Sequence, residues 1–146
     1  MKRVSQMTAL AMALGLACAS SWAAELAKPL TLDQLQQQNG KAIDTRPSAF
    51  YNGWPQTLNG PSGHEPAALN LSASWLDKMS TEQLNAWIKL HNLKADAPVA
   101  LYGNDKDVDA VKTRLQKAGL THISILSDAL SEPSRLQKLP HFEQLV

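Results

Sequence analysis

The sequence has 146 residues, with 14 lysines and arginines against 13 acidic residues and a formal net charge of +1. That length supports one domain with a proper core and excludes two. The near-neutral charge excludes the basic footprint that nucleic-acid binding requires.

Residues 1–23 read as a secretory signal. Lys2 and Arg3 give the positive start, and Ala9 to Ala19 forms an apolar run. Ser21-Trp22-Ala23 supplies small residues at −3 and −1 for cleavage before Ala24. The run is shorter than the roughly 20 apolar residues of a membrane span. Leu16-Ala17-Cys18 is faintly like a lipidation site, but Gly15 stands where such sites want a large aliphatic residue. The expectation is therefore an exported, periplasmic protein, cleaved after Ala23 and not held at the membrane afterwards. Cys18 is the one cysteine and leaves with the signal. The mature portion then has no thiol and no disulfide, although its compartment permits one. Lys2 and Arg3 leave too, so 12 basic residues face 13 acidic ones, a net charge of −1.

From Thr31 onward the punctuation is that of alternating helices and strands. Thr31-Leu32-Asp33-Gln34 is a capping box opening a short helix with Leu32 and Leu35 on its apolar stripe. Lys41-Ala42-Ile43-Asp44 is a brief strand. Pro47 to Gly63 reads as a long loop, with turn chemistry at Gly53-Trp54-Pro55 and Asn59-Gly60-Pro61; that length suits a functional lip or an interaction surface. Ser80-Thr81-Glu82-Gln83 is a second capping box, followed by Leu84, Trp87, Ile88 and His91 on one helical face. Pro98 to Tyr102 is a buried strand. Val108, Val111 and Leu115 mark a helix from about Asp105 to Ala118, closed by Gly119. His122 to Leu126 is another strand. In the tail, Leu136, Leu139, Phe142 and Leu145 suggest one more short helix, broken by Pro140. Strands separated by helices argue for a parallel sheet.

Two stretches carry a family resemblance. Ile43-Asp44-Thr45-Arg46 is similar to the Asp-x-Arg of the rhodanese (thiosulfate sulfurtransferase) family. Gly63-His64-Glu65-Pro66-Ala67-Ala68-Leu69-Asn70 is similar to its Gly-His-Ile-Pro-Gly-Ala-x-Asn. The order of later elements also fits, so the resemblance spans about Leu30 to Asp128. It is nearest to the first domain of exported sulfurtransferases of Gram-negative bacteria that string several rhodanese domains together.

The resemblance implies an α/β fold, with a central parallel sheet of about five strands and helices on both faces. It also implies a cysteine at the end of the strand Val99–Tyr102, in a loop whose backbone N–H groups stabilise the thiolate. Gly103 occupies that position, and the loop reads Gly103-Asn104-Asp105-Lys106-Asp107-Val108. Glycine offers no nucleophile. Asp105 and Asp107 suit a helix N-terminus but repel an anionic sulfur donor, which Lys106 offsets only in part. Glu65 replaces an apolar residue of the family pattern, and Ser127-Asp128 stands where Gly-Gly is common.

The remaining candidates read more simply as structural. Asp44 caps a turn, and Arg46 ties the strand end to a neighbouring loop. His64 braces its loop by hydrogen bonds. Ser62-Gly63-His64 lacks the elbow of a serine nucleophile, and His91, His122 and His141 lack metal-ligand spacing. Among Phe50, Tyr51, Trp54, Trp75 and Trp87, Trp87 reads as core, whereas Trp54 is either an interface anchor or a lid. The expectation is a single rhodanese-like domain over residues 24–146, core about 30–128, without catalytic residue, metal or cofactor of its own. Its expected partners are further rhodanese domains of a longer protein. The alternative is a stand-alone periplasmic module binding a small anion or a partner at Gly103–Val108.

Overall fold

The structure is a computed structural model that describes residues 28–140. The signal segment, Cys18, His141, Phe142 and Leu145 lie outside the described residues.

The elements in chain order are α1 (Leu32–Gln37), β1 (Lys41–Asp44), α2 (Ser48–Asn52), β2 (Leu69–Asn70), α3 (Ala73–Leu76) and α4 (Thr81–Leu90). They continue with β3 (Val99–Tyr102), α5 (Asp105–Lys117), β4 (Ile123–Ile125) and a 3-10 turn (Pro133–Arg135). Both expected capping boxes form. Thr31 Oγ1 accepts the Gln34 amide at 3.2 Å while Gln34 Oε1 accepts the Thr31 amide at 3.0 Å. Ser80 and Gln83 repeat this at 3.1 and 2.9 Å. Each box satisfies two amides that a helix start leaves without intrahelical partners.

The strands pair in the order β2-β1-β3-β4, all parallel. Among the described residues the sheet thus has four strands rather than about five. Where a fifth would lie, the described residues form a single parallel bridge, Leu30 to Leu126, because Thr31 caps a helix that starts at Leu32. The alternation of strand side chains sends Ile43, Val99, Leu101 and Ile123 to one face, where they pack with Leu76, Leu84, Val111 and Leu115. Ala42, Ala100 and Tyr102 point to the other, against Leu32 and Leu35 of α1. Both faces are therefore covered by helix, as parallel sheets require. Each fully buried Leu, Ile or Val contributes about 1.5–3 kcal/mol. Arg114 fastens α5 to the opposite elements, donating to the carbonyls of Leu76 and Met79 at 2.9 and 3.0 Å.

Two expectations need correction. The stretch Pro47–Gly63 is not loop throughout, since Ser48–Asn52 forms α2. Pro47, with φ fixed near the helical value, precedes the first turn. In the tail, no helix runs through Leu136–Pro140. Gln137 instead makes an antiparallel bridge to His64, with hydrogen bonds of 2.8 and 2.9 Å. A partner 73 positions upstream outweighs a weak local periodicity.

Candidate functional site

β1 and β3 end side by side, with Asp44 opposite Tyr102. In open parallel sheets, ligand sites gather outside the carboxyl ends of the strands. Both stretches that carry the resemblance meet at this place.

At the end of β1, Asp44 is fully buried and held in a closed set of hydrogen bonds. Its Oδ1 accepts from the Arg46 amide at 2.9 Å and from Arg46 Nε at 3.0 Å, and its Oδ2 accepts from Arg46 Nη2 at 2.6 Å. Arg46 Nη2 also donates to the Gly63 carbonyl at 2.6 Å. Burial opposes the charge of Arg46, but the hydrogen bonds and charge of Asp44 prevail and hold the guanidinium above its ordinary range. Its Cζ lies 5.6 Å from the centroid of the Tyr102 ring, within cation–π range. Asp44 therefore caps the turn, and Arg46 joins the strand end to the loop at Gly63. Asn70 completes the brace, donating from Nδ2 to the carbonyls of Asp44 and Arg46 at 3.0 Å each.

His64 is a brace as well. Its Nδ1 bonds the Tyr51 carbonyl at 2.7 Å, and its ring stacks on Tyr51 with centroids 3.7 Å apart. Ser62 donates its hydroxyl to the Gly53 carbonyl and makes no pair with His64. Glu65 is a residue whose role the sequence pattern did not disclose. Though fully buried, it accepts from Arg135 Nε at 2.7 Å, from Arg135 Nη2 at 3.1 Å and from the Leu130 amide at 2.6 Å. These bonds to Glu65 raise the pKa of Arg135 despite its partial burial. The only forewarning was that a charge stood at an apolar position of the pattern; its partner lies 70 residues downstream.

The end of β3 is different. Gly103 has φ +144°, a conformation L side chains rarely adopt, and the Thr45 hydroxyl lies too close to the place of a Cβ for one to fit unless something shifts. That hydroxyl donates to the Tyr102 carbonyl at 3.0 Å and is fixed there. The helix begins at Asp105 as expected, so only Gly103 and Asn104 separate β3 from α5. Asn104 is the N-cap; its Oδ1 accepts the Asp107 amide at 2.9 Å and its Nδ2 donates to Asp107 Oδ2 at 2.8 Å. The Val108 amide bonds the Asn104 carbonyl. Asp105 and Asp107 occupy the first turn, as expected for partners of the helix dipole.

Among the described residues, no three His, Cys, Asp or Glu side chains come together in a way that could hold a metal ion. Within the same limits, no helix is long and apolar enough to cross a membrane.

Comparison with known proteins decides the ancestry. The family described as rhodanese-like domain matches residues 23–134. The chain belongs to the rhodanese-like family. It is 98% identical over 146 residues to thiosulfate sulfurtransferase YnjE of Escherichia coli (strain K12), covering 100% of this chain and 34% of that protein. The chain thus spans about a third of the length of this curated relative. A crystal structure of YnjE superposes with a TM-score of 0.80 at 98% identity, covering 86% of this chain and 30% of that one. Wild-type EanB gives a TM-score of 0.66 at 25% identity, over 82% of this chain and 30% of its own. The all-parallel sheet with helices on both faces is the rhodanese-like arrangement expected from the two sequence stretches.

Proposed function

We propose that this rhodanese-like domain is a non-catalytic unit of a longer thiosulfate sulfurtransferase, serving as a structural or interaction module beside domains that carry the sulfur. One observation carries the reading: Gly103, at the place where the family pattern puts its cysteine, has a left-handed backbone with the Thr45 hydroxyl in the space a side chain needs. A persulfide carrier requires a thiolate there, held by converging amides. Here the following turn is already a capped helix start bearing two carboxylates. The share of YnjE that this chain spans fits one domain among several.

We further propose that the product is exported and cleaved after Ala23, which removes Cys18 and leaves the mature domain without any thiol. The rival reading, a module binding small anions at the start of α5, loses support. The Asp107 amide is taken by Asn104 Oδ1, the Val108 amide by the Asn104 carbonyl, and Asp105 and Asp107 repel anions.

The test is sulfur transfer from thiosulfate to cyanide by residues 24–146, measured beside the longer Escherichia coli protein. Background rates for the domain and turnover by the longer protein are expected. Turnover by the domain would overturn the proposal.

A further inference from the structure

The stretch Pro47–Gly63 contains no charged residue in a chain that is 18% charged. Within it, residues 53–62 form a loop closed at its base, where the Ser62 hydroxyl donates to the Gly53 carbonyl. Inside the loop the Gly60 amide bonds the Thr57 carbonyl at 2.9 Å, and Pro55 and Pro61 stiffen its two limbs. This ordered loop exposes large apolar side chains: Trp54 is 51% exposed and Leu58 is 92% exposed. Beside it runs the tail. Gln137 is bridged to His64, and the Leu139 amide donates to the Asn52 carbonyl at 3.0 Å, two residues before Trp54. Leu139 is itself 45% exposed. The polypeptide thus leaves the described fold alongside the uncharged loop.

We infer that the Trp54–Leu58 loop, with Leu139, is the surface on which a neighbouring domain of the same longer polypeptide packs. This rests on the reading of the chain as one unit of a multidomain sulfurtransferase. Interface centres are depleted of charge and anchored by aromatic residues, above all tryptophan. Domain contacts within one chain bury about 600–1,500 Å², and the described chain runs along this side as far as Leu139, beside the loop. The prolines and the closed base lower the entropy lost when the loop is immobilised. The neighbour's matching face is accordingly apolar and uncharged, with a pocket for an indole. A second apolar surface, the groove of about 650 Å³ lined by Trp75, Met79, Trp87 and Leu90, lacks both the charge-free setting and the adjoining chain.

The two surfaces provide matched reporters. Trp75 is 65% exposed and Leu90 79% exposed, close to Trp54 and Leu58 respectively. Hydroxyl-radical footprinting of the longer Escherichia coli protein, at two concentrations and read by mass spectrometry, compares identical side chains within one molecule. Covering the loop should lower labelling of Trp54 relative to Trp75, and of Leu58 relative to Leu90, by about fivefold or more at both concentrations. Near-parity, or stronger protection of Trp75 and Leu90, overturns the assignment. So does protection of Trp54 that disappears on dilution, which would give the loop to a second copy. None of these results touches the non-catalytic reading, which the sulfur-transfer assay judges separately.

Discussion

The C-terminal ends of β1 and β3 are neighbours in one sheet, yet they are built on opposite plans. The first is dense with polar groups that bond one another: the buried Asp44, Arg46 and Gly63 carbonyl, and the half-buried Asn70. The second is bare, a left-handed glycine followed by a helix cap. In this domain the Asp-x-Arg stretch therefore has work that does not depend on a nucleophile next door. It secures the long segment between β1 and β2 to the sheet, and it does so beside a strand end that offers no sulfur carrier. If the proposed non-catalytic reading holds, a family pattern here persists as architecture without its chemistry.

The contrast can be broken most forcefully at Arg46. Arg46→Ala leaves the fully buried Asp44 carboxylate without its partner, and a loss of about 3–5 kcal/mol is expected in urea unfolding. A loss below about 1 kcal/mol would mean the brace is ornamental. Arg135→Ala should cost less, about 1–3 kcal/mol, because Glu65 keeps the Leu130 amide and Arg135 is partly exposed. Replacing Arg135 by Met and Glu65 by Leu should recover part of that loss, since it removes the unpaired buried charge, but not all of it, because the Leu130 amide then lacks its acceptor.

At the bare strand end, Gly103→Cys is expected to lower stability by about 1–3 kcal/mol through the left-handed backbone and the contact with Thr45. It should also leave thiosulfate-to-cyanide transfer at background. Asn104→Ala removes the cap from α5 and should cost about 1 kcal/mol, read as a lower thermal midpoint.

The smallest effect sharpens the comparison by spectroscopy. Burial first, and the charge of Asp44 second, raise the pKa of both Tyr51 and Tyr102 above the ordinary value near 10, Tyr102 much further. Folding therefore favours the protonated phenols. Their contribution is complete below pH 10 and declines above it, because unfolded tyrosine releases its proton first. Phenolate absorbance of the folded domain should consequently lag behind that of the urea-unfolded chain during alkaline titration. Tyr102→Phe should reduce the loss of stability above pH 10, measured by urea titration at stepped pH. These are the chain's two tyrosines, so the absorbance signal has no other source.

Much of this molecule was legible because its signals are local. The capping boxes at Thr31 and Ser80, the strands Lys41–Asp44 and Val99–Tyr102, and the helix ending before Gly119 all rest on residues a few positions apart. The cross-brace role of Arg46 and the bracing role of His64 were readable once the two stretches were set against the family pattern. What escaped depends on distance along the chain. Glu65 meets Arg135 across 70 positions, and Gln137 pairs with His64 across the same gap of β2, β3 and β4. The filling of the Gly103 site by the Thr45 hydroxyl depends on strand register, which spacing alone does not set.

Under the proposed non-catalytic reading, that hydroxyl gives the glycine at position 103 a direction in evolutionary time. Restoring a cysteine codon at Gly103 is not the reverse of losing one, because Thr45 now occupies the space the Cβ needs and is tied there by Tyr102. A path back would have to alter Thr45 first, then position 103, and then relieve the carboxylates of Asp105 and Asp107. Serine at position 45 would not suffice, since it keeps the oxygen. Each early step costs stability or changes nothing, and none confers sulfur transfer until the last is made. On the proposed reading, the domain is thus held to a non-catalytic state by its own packing, and selection acting on it can reach only its fold and its surfaces.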